Sequence, residues 1–212
     1  ILRAAQIVVD EGLARPTLIG RPAIIAQRIE RHGLRLQEGQ DYDVVNIEAD
    51  RRHREFSQIY HRMTERQGIT LQVAKIEMRR RLTLIGAMLL HQGEVDGLIC
   101  GTWGTTANHL YYIDQVIGRR KDGARGTTQS LPVLACTNAL LLPGHTVFLV
   151  DTHVNSNPSA EELAEITALA AEEMLRFGIE PKAALLSHSN FGTNNDPSAV
   201  KMRRTLHILH EQ

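Results

Sequence analysis

Apolar residues fall along this chain in two alternating patterns, short unbroken runs and longer stretches with a helical repeat. Residues 1–12 read as a helix, followed by an extended run, Pro16-Thr17-Leu18-Ile19, that stops at Gly20. Pro22 stands where the first turn of a helix tolerates proline, and Ile24, Ile25 and Ile29 give that helix an apolar side. Residues 43–47 predict the next strand. A polar helix covers residues 51–67, Gly68 breaks it, and Thr70 is placed to cap a helix over residues 71–81.

Residues 82–91 are almost wholly apolar and long enough for a buried helix, which Gly93 ends. Residues 96–101 then read as a short buried strand. Strands at this spacing, with helices between them, predict an α/β fold in which a mostly parallel sheet is covered on both faces. The pattern changes over the polar, glycine-containing run 119–126, the best place for a boundary between a first part, residues 1–122, and a second, residues 123–212. In the second part, residues 131–136 and 146–151 read as neighbouring strands separated by a Pro143-Gly144 turn. Ser159 with Glu162 three residues on predicts a capping box. The helix that follows carries Leu163, Ile166, Ala170, Met174 and Phe177 on one face and sets Glu161, Glu165 and Glu172 mostly outward. Gly178 closes it, residues 183–186 predict another strand, and a last helix begins at Ser198. Both ends of the chain fall inside helical patterns, which reads as a segment of something longer.

Charge and composition narrow the function classes. Lys and Arg total 24, matched by 24 Asp and Glu, so no net field draws the chain to nucleic acid or membrane. The densest basic run, Arg79-Arg80-Arg81, reads as a solvated face. No apolar stretch approaches the roughly 20 residues of a membrane helix. Two cysteines, Cys100 and Cys136, lie in apolar segments and read as buried thiols of a reducing, cytoplasmic compartment. The ten histidines are scattered, and His207 with His210 lacks an acidic cluster, so no metal site is predicted.

Three loops follow predicted strands, where open α/β sheets gather ligands. Gly101-Thr102-Trp103-Gly104-Thr105-Thr106 runs straight into a helix start, which suits either a phosphate or carboxylate held by free N–H groups or a tight turn with a threonine cap. It matches neither a Walker A loop nor a dinucleotide fingerprint. Trp103 there fits an adenine stack or a wall beneath the loop. The second loop, Asp151-Thr152-His153-Val154-Asn155, offers His153 as an acid/base or as a hydrogen-bonded structural residue, with Asn155 shaping the turn. The third, Ser187-His188-Ser189-Asn190-Phe191-Gly192-Thr193, has hydroxyls, an imidazole and an amide but no partner that marks a serine as nucleophile, so binding or structure is its reading.

A family resemblance runs through the same loops. Residues 93–101 with Thr105-Thr106-Ala107, residues 155–166, and Ala183-Ala184-Leu185-Leu186-Ser187-His188-Ser189 resemble phosphate acetyltransferases, and the likeness extends over essentially the whole chain. Residues 14–22, 77–81, 100–107, 109–118, 150–155 and 187–192 are similar in wording to the phosphotransacetylase-like part of hybrid malic enzymes. This resemblance implies a two-part αβα architecture with a ligand cleft between the parts and pairing into oligomers. Acetyl-CoA or a related CoA ester would be an allosteric ligand touching Thr102, Trp103, Thr105, Thr106, His109, Tyr111, His153, Asn155, Ser187, His188, Ser189 and Asn190. It implies no cofactor in this part. NADP, a divalent metal and malate would belong to a malic enzyme catalytic region of the same polypeptide. Active relatives carry an arginine four residues after the alanine of Thr-Thr-Ala, and Tyr111 stands there in this chain. A tyrosine offers one hydrogen bond and no permanent charge, so the resemblance implies a sensor without transferase activity. The alternatives are an active phosphate acetyltransferase and an oligomerisation platform.

Overall fold

The computed structural model describes residues 1–119, 133–190 and 193–211. The chain divides into two compact units, Ile1–Gly118 and Arg119–Gln212. The expected boundary at 122/123 and most of the polar run around it lie outside the described residues.

The first unit follows the predicted order: α1 (Leu2–Asp10), β1 (Thr17–Gly20), α2 (Pro22–Arg31), β2 (Asp43–Asn46), α3 (His53–Thr64), α4 (Leu71–Arg80), α5 (Leu82–His91) and α6 (Thr106–Val116). Pro22 opens α2 at its first turn, and Thr70 caps α4 by accepting from the Val73 N–H at 3.3 Å. A 3₁₀ turn, Glu65–Gln67, ends at Gly68, whose φ of 87° is the left-handed stop the sequence called for. β1 and β2 are parallel, with Thr17 opposite Asp43 and Gly20 opposite Asn46. Arg15 fixes the start of β2 through a two-pronged grip on Asp43, at 2.8 and 2.9 Å, while also donating to the carbonyls of Gly39 and Gln40.

Helix α5 is the centre of the unit, with every residue from Thr83 to Leu89 buried. Val45, Phe56, Tyr60, Ala74, Met78, Tyr112 and Val116 pack around it from β2, α3, α4 and α6. Gly86 lets Leu98 approach, since a Cβ there would meet the Leu98 Cδ1 at 2.5 Å. A smaller cluster of Ala5, Ile29, Leu36 and Tyr42 closes α1 and α2 against the other side of β1 and β2.

The second unit holds a hairpin, β3 (Thr137–Leu142) and β4 (His145–Val150), and two helices, α7 (Ala160–Arg176) and α8 (Pro197–Glu211). The Ser159–Glu162 capping box forms in both directions, at 3.1 and 2.7 Å. Small residues let α7 and α8 approach: Ala160, Ala164 and Ala199 are buried, and the buried Thr205 hydroxyl donates to the Ala160 carbonyl.

The α/β class holds, with β1 and β2 a parallel pair in the first unit and β3 and β4 an antiparallel pair in the second among the described residues. Four expectations are corrected. Residues 96–101 and 183–186 have no ladder partner among the described residues, and Ile99 is fully exposed. An extended segment without a neighbour leaves its backbone groups to water, so apolar content alone does not make it a strand. The strand expected at 131–136 lies at Thr137–Leu142, because the Pro143-Gly144 turn pairs Leu142 with His145 and so fixes the residues just before it; residues 131 and 132 lie outside the described residues. Glu165 is buried, since the α7 stripe follows Ala160 and Ala164 toward α8, and Phe177 is left exposed. Cys100 is exposed because its segment is unpaired, and Cys136 is half-buried; both are free thiols. No helix among the described residues is long and apolar enough to cross a membrane.

Candidate functional site

The glycine- and threonine-rich loop before α6 is held in a shape that ordinary residues resist. Gly101 has φ 140°, Thr102 65° and Gly104 98°. A β-branched residue in the left-handed region costs about 1–3 kcal/mol, and such strain gathers at ligand-gripping turns. Thr105 then caps α6 by accepting from the Asn108 N–H at 3.3 Å. Of the two sequence readings, the tight turn with a threonine cap is the one these contacts describe.

His109 pins the loop from the first turn of α6. Its Nε2 lies 2.9 Å from the Trp103 carbonyl and its Nδ1 2.6 Å from the Thr83 hydroxyl of α5. A carbonyl only accepts, so Nε2 carries the hydrogen and, in the neutral ring, Nδ1 accepts from Thr83. Both ring nitrogens are thereby engaged in holding loop to core. Trp103 is not the expected wall beneath the loop. Its ring is 88% exposed because the pin uses its carbonyl and leaves the side chain outside.

Tyr111 is 47% exposed and lies edge-on to Tyr112, with ring centroids 5.1 Å apart. Beneath it is a network the sequence did not disclose. Tyr112 donates to Glu77 Oε1 at 3.1 Å, while the Tyr60 hydroxyl lies 3.1 Å from Glu77 Oε2 and 2.5 Å from Gln115 Oε1. Burial first, then the Glu77 carboxylate, pushes the Tyr112 phenol up to about 12 and raises Tyr60 for the same reasons. The Arg81 guanidinium lies 5.8 Å over the Tyr112 ring. Only the Glu77-Met78-Arg79-Arg80-Arg81 wording hinted that α4 matters here.

The other expected residues belong to the second unit. Asp151 takes a left-handed φ of 53°, and its carboxylate accepts from the Asn155 N–H at 3.2 Å. The Asn155 amide donates to the Leu134 carbonyl at 2.8 Å. His153 Nδ1 lies 2.9 Å from the Thr152 hydroxyl and 3.4 Å from Cys136 Sγ. In the third loop His188 contacts Asp196 at 2.8 Å and Ser198 at 3.3 Å, Ser187 accepts from the Ser189 N–H, and Asn190 accepts from the Thr193 hydroxyl. Phe191 and Gly192 lie outside the described residues. Thr102, Trp103, Thr105, Thr106 and His109 are thus gathered at the start of α6, with Tyr111 midway along it, and His153 with Asn155 in one turn. No group of three or more His, Cys, Asp or Glu that could hold a metal occurs among the described residues.

Comparison with known proteins gives these loops a lineage. The NADP-dependent malic enzyme of Haemophilus influenzae is 47% identical over 211 residues, and that of Escherichia coli 44% over 212; each match covers 100% of this chain and 27% of the relative. The chain therefore spans about a quarter of the malic enzymes it matches. A phosphotransacetylase structure from Streptococcus pyogenes superposes with a TM-score of 0.82 at 26% identity, covering 100% of this chain and 61% of that one. The family profile described as Phosphate acetyl/butaryl transferase matches residues 1–212, and with every residue inside that match the chain belongs to the phosphate acetyl/butaryl transferase family.

Proposed function

We propose that this chain is the acetyl-CoA-sensing part of a longer, NADP-dependent malic enzyme and that it does not itself transfer acetyl groups. The observation that carries the reading is Tyr111. The family's arginine position holds a half-exposed tyrosine stacked edge-on against Tyr112, so α6 offers no guanidinium at that point. A phosphoryl group in transfer needs charge at the place where charge develops, and removing such a group costs about 10²–10³ in rate. Binding does not need it. A strained turn, a capped helix start and hydroxyls at Thr102, Thr105 and Thr106 suit the phosphates of a CoA ester. NADP, a divalent metal and malate belong in this reading to the remainder of the polypeptide, and the acyl-CoA effect runs through different affinity for two quaternary arrangements.

Calorimetry of the intact protein with acetyl-CoA, paired with malate oxidation rates and a thiol-release assay in phosphate, tests the proposal. Expected are saturable binding, a changed oxidation rate and no thiol release. Absence of binding refutes the sensor. Robust thiol release refutes the inactive transferase and favours the active enzyme that likeness to phosphotransacetylases suggests. Tyr111→Arg is expected to leave thiol release absent.

A further inference from the structure

On the face of the first unit formed by α3 and α4, a groove of about 320 Å³ is lined by His53, Arg54, Gln72, Lys75, Ile76 and Arg79. Its volume is at the small end of the range for ligand sites. Three of the six are cations from two helices, and no carboxylate lines it. The side chains of Arg54, Lys75 and Arg79 form no hydrogen bond or ion pair among the described residues. Acidic neighbours are committed elsewhere: Glu77 serves Tyr60 and Tyr112, and Asp50 is gripped by Arg52 at 2.6 Å. Lys75 and Arg79 are one turn apart, an arrangement of like charges that weakens a helix unless an anion joins them.

His53 senses these cations, and its Nε2 is closed off from solvent without a hydrogen-bond partner among the described residues. Burial first, then the nearby Arg79, holds the imidazole below its ordinary range. The chain as a whole carries equal numbers of acidic and basic side chains, so this concentration is local.

We propose that the α3–α4 groove binds a small phosphorylated metabolite carrying a diphosphate-like anion, at a site separate from the loop before α6. Two guanidinium groups offer planar, paired donors that match phosphate oxygens, and Lys75 adds a point charge between them in sequence. Gln72 supplies an amide and Ile76 an apolar wall for the uncharged part of the ligand. The concave shape and the small number of cations fit a small anion rather than a nucleic acid, which needs a longer basic track. In this light, one arginine of the 79–81 run is a ligand group.

Inorganic pyrophosphate titrated into the intact protein at low salt, followed by calorimetry, reads the site directly. Expected is saturable binding that weakens with added salt, as screening demands. Each of Lys75→Gln and Arg79→Gln is expected to weaken it about tenfold, the equivalent of one lost charged hydrogen bond, while Arg3→Gln leaves it unchanged. A Thr105→Val variant, altered in the loop of the proposed acyl-CoA site, also retains it. No saturable binding overturns the proposal, as does equal affinity in the Lys75→Gln/Arg79→Gln double variant. Loss with Thr105→Val overturns the separateness of the two sites. Binding of an acidic peptide with no binding of pyrophosphate overturns the ligand class in favour of a protein partner.

Discussion

The Glu77 carboxylate is expected to make the fold sensitive to alkali, and Glu77→Gln exposes that dependence. An unfolded tyrosine ionises near pH 10. Tyr112 in the fold is raised to about 12, by burial and then by Glu77, and Tyr60 is raised as well. Folding therefore favours the neutral phenols. Their contribution is complete below pH 10 and is lost as pH rises toward 12, because the unfolded chain releases protons that the folded chain retains. For Tyr112, 3% exposed, the gap of two pH units corresponds to about 3 kcal/mol. Near pH 7, Glu77→Gln keeps an acceptor oxygen but replaces charged hydrogen bonds with neutral ones, a loss of about 1–2 kcal/mol. At high pH the same substitution removes a repulsion toward phenolate, so the variant falls less steeply. Urea denaturation followed by far-UV circular dichroism at pH 7, 9 and ~11 measures this. Fluorescence would serve poorly, because the single tryptophan, Trp103, is already exposed. The stability curves of parent and variant should converge with rising pH. Parallel or diverging curves would refute the coupling between Glu77 and the two tyrosines.

Three further outcomes follow from individual contacts. Gly86→Val would drive side-chain atoms into Leu98 and Ile19 and lower stability by about 2 kcal/mol in urea denaturation; an unchanged midpoint would mean that Leu98 swings freely aside. Ser159→Ala removes the capping box of α7 at about 1 kcal/mol, read as a lower denaturation midpoint. Thr83→Val keeps the volume at 83 but leaves His109 Nδ1 without its partner, at a cost of about 1 kcal/mol. It should also weaken acetyl-CoA binding severalfold in calorimetry if the pinned loop is part of that site.

Local signals in the sequence carried over where physics is local. Gly68 stops a helix because only glycine readily takes φ 87°, and Thr70, Ser159 and Glu162 mark helix starts because their side chains reach N–H groups within three residues. Leu82–His91 was legible because apolar residues on every side of a ten-residue helix require complete burial, and α5 is the buried centre of its unit. The site was legible to the same extent. Thr105 capping α6 follows from residue types within a few positions, while Thr102 takes a left-handed φ that its β-branch disfavours and the Thr83–His109 contact joins positions 26 apart with no sequence pattern linking them.

The harder cases share one cause, which is that strand formation depends on a neighbour that sequence does not name. Residues 43–47 and 96–101 have similar apolar runs. Asp43–Asn46 becomes a strand because β1 lies beside it and Arg15 anchors its start, whereas residues 96–101 have no ladder partner among the described residues and Ile99 stands in solvent. The same dependence on partners decides charge. Arg79, Arg80 and Arg81 are consecutive, chemically alike and all exposed, yet Arg79 in the last turn of α4 lines the α3–α4 groove while Arg81, in the extended step between α4 and α5, lies over the Tyr112 ring. Arg79 and Arg80, successive on the helix, point about 100° apart, and Arg81 beyond its end follows extended backbone toward α5. The run is solvated, as its composition suggests, and what the composition does not carry is which neighbour each exposed arginine meets, the groove for Arg79 and the Tyr112 ring for Arg81.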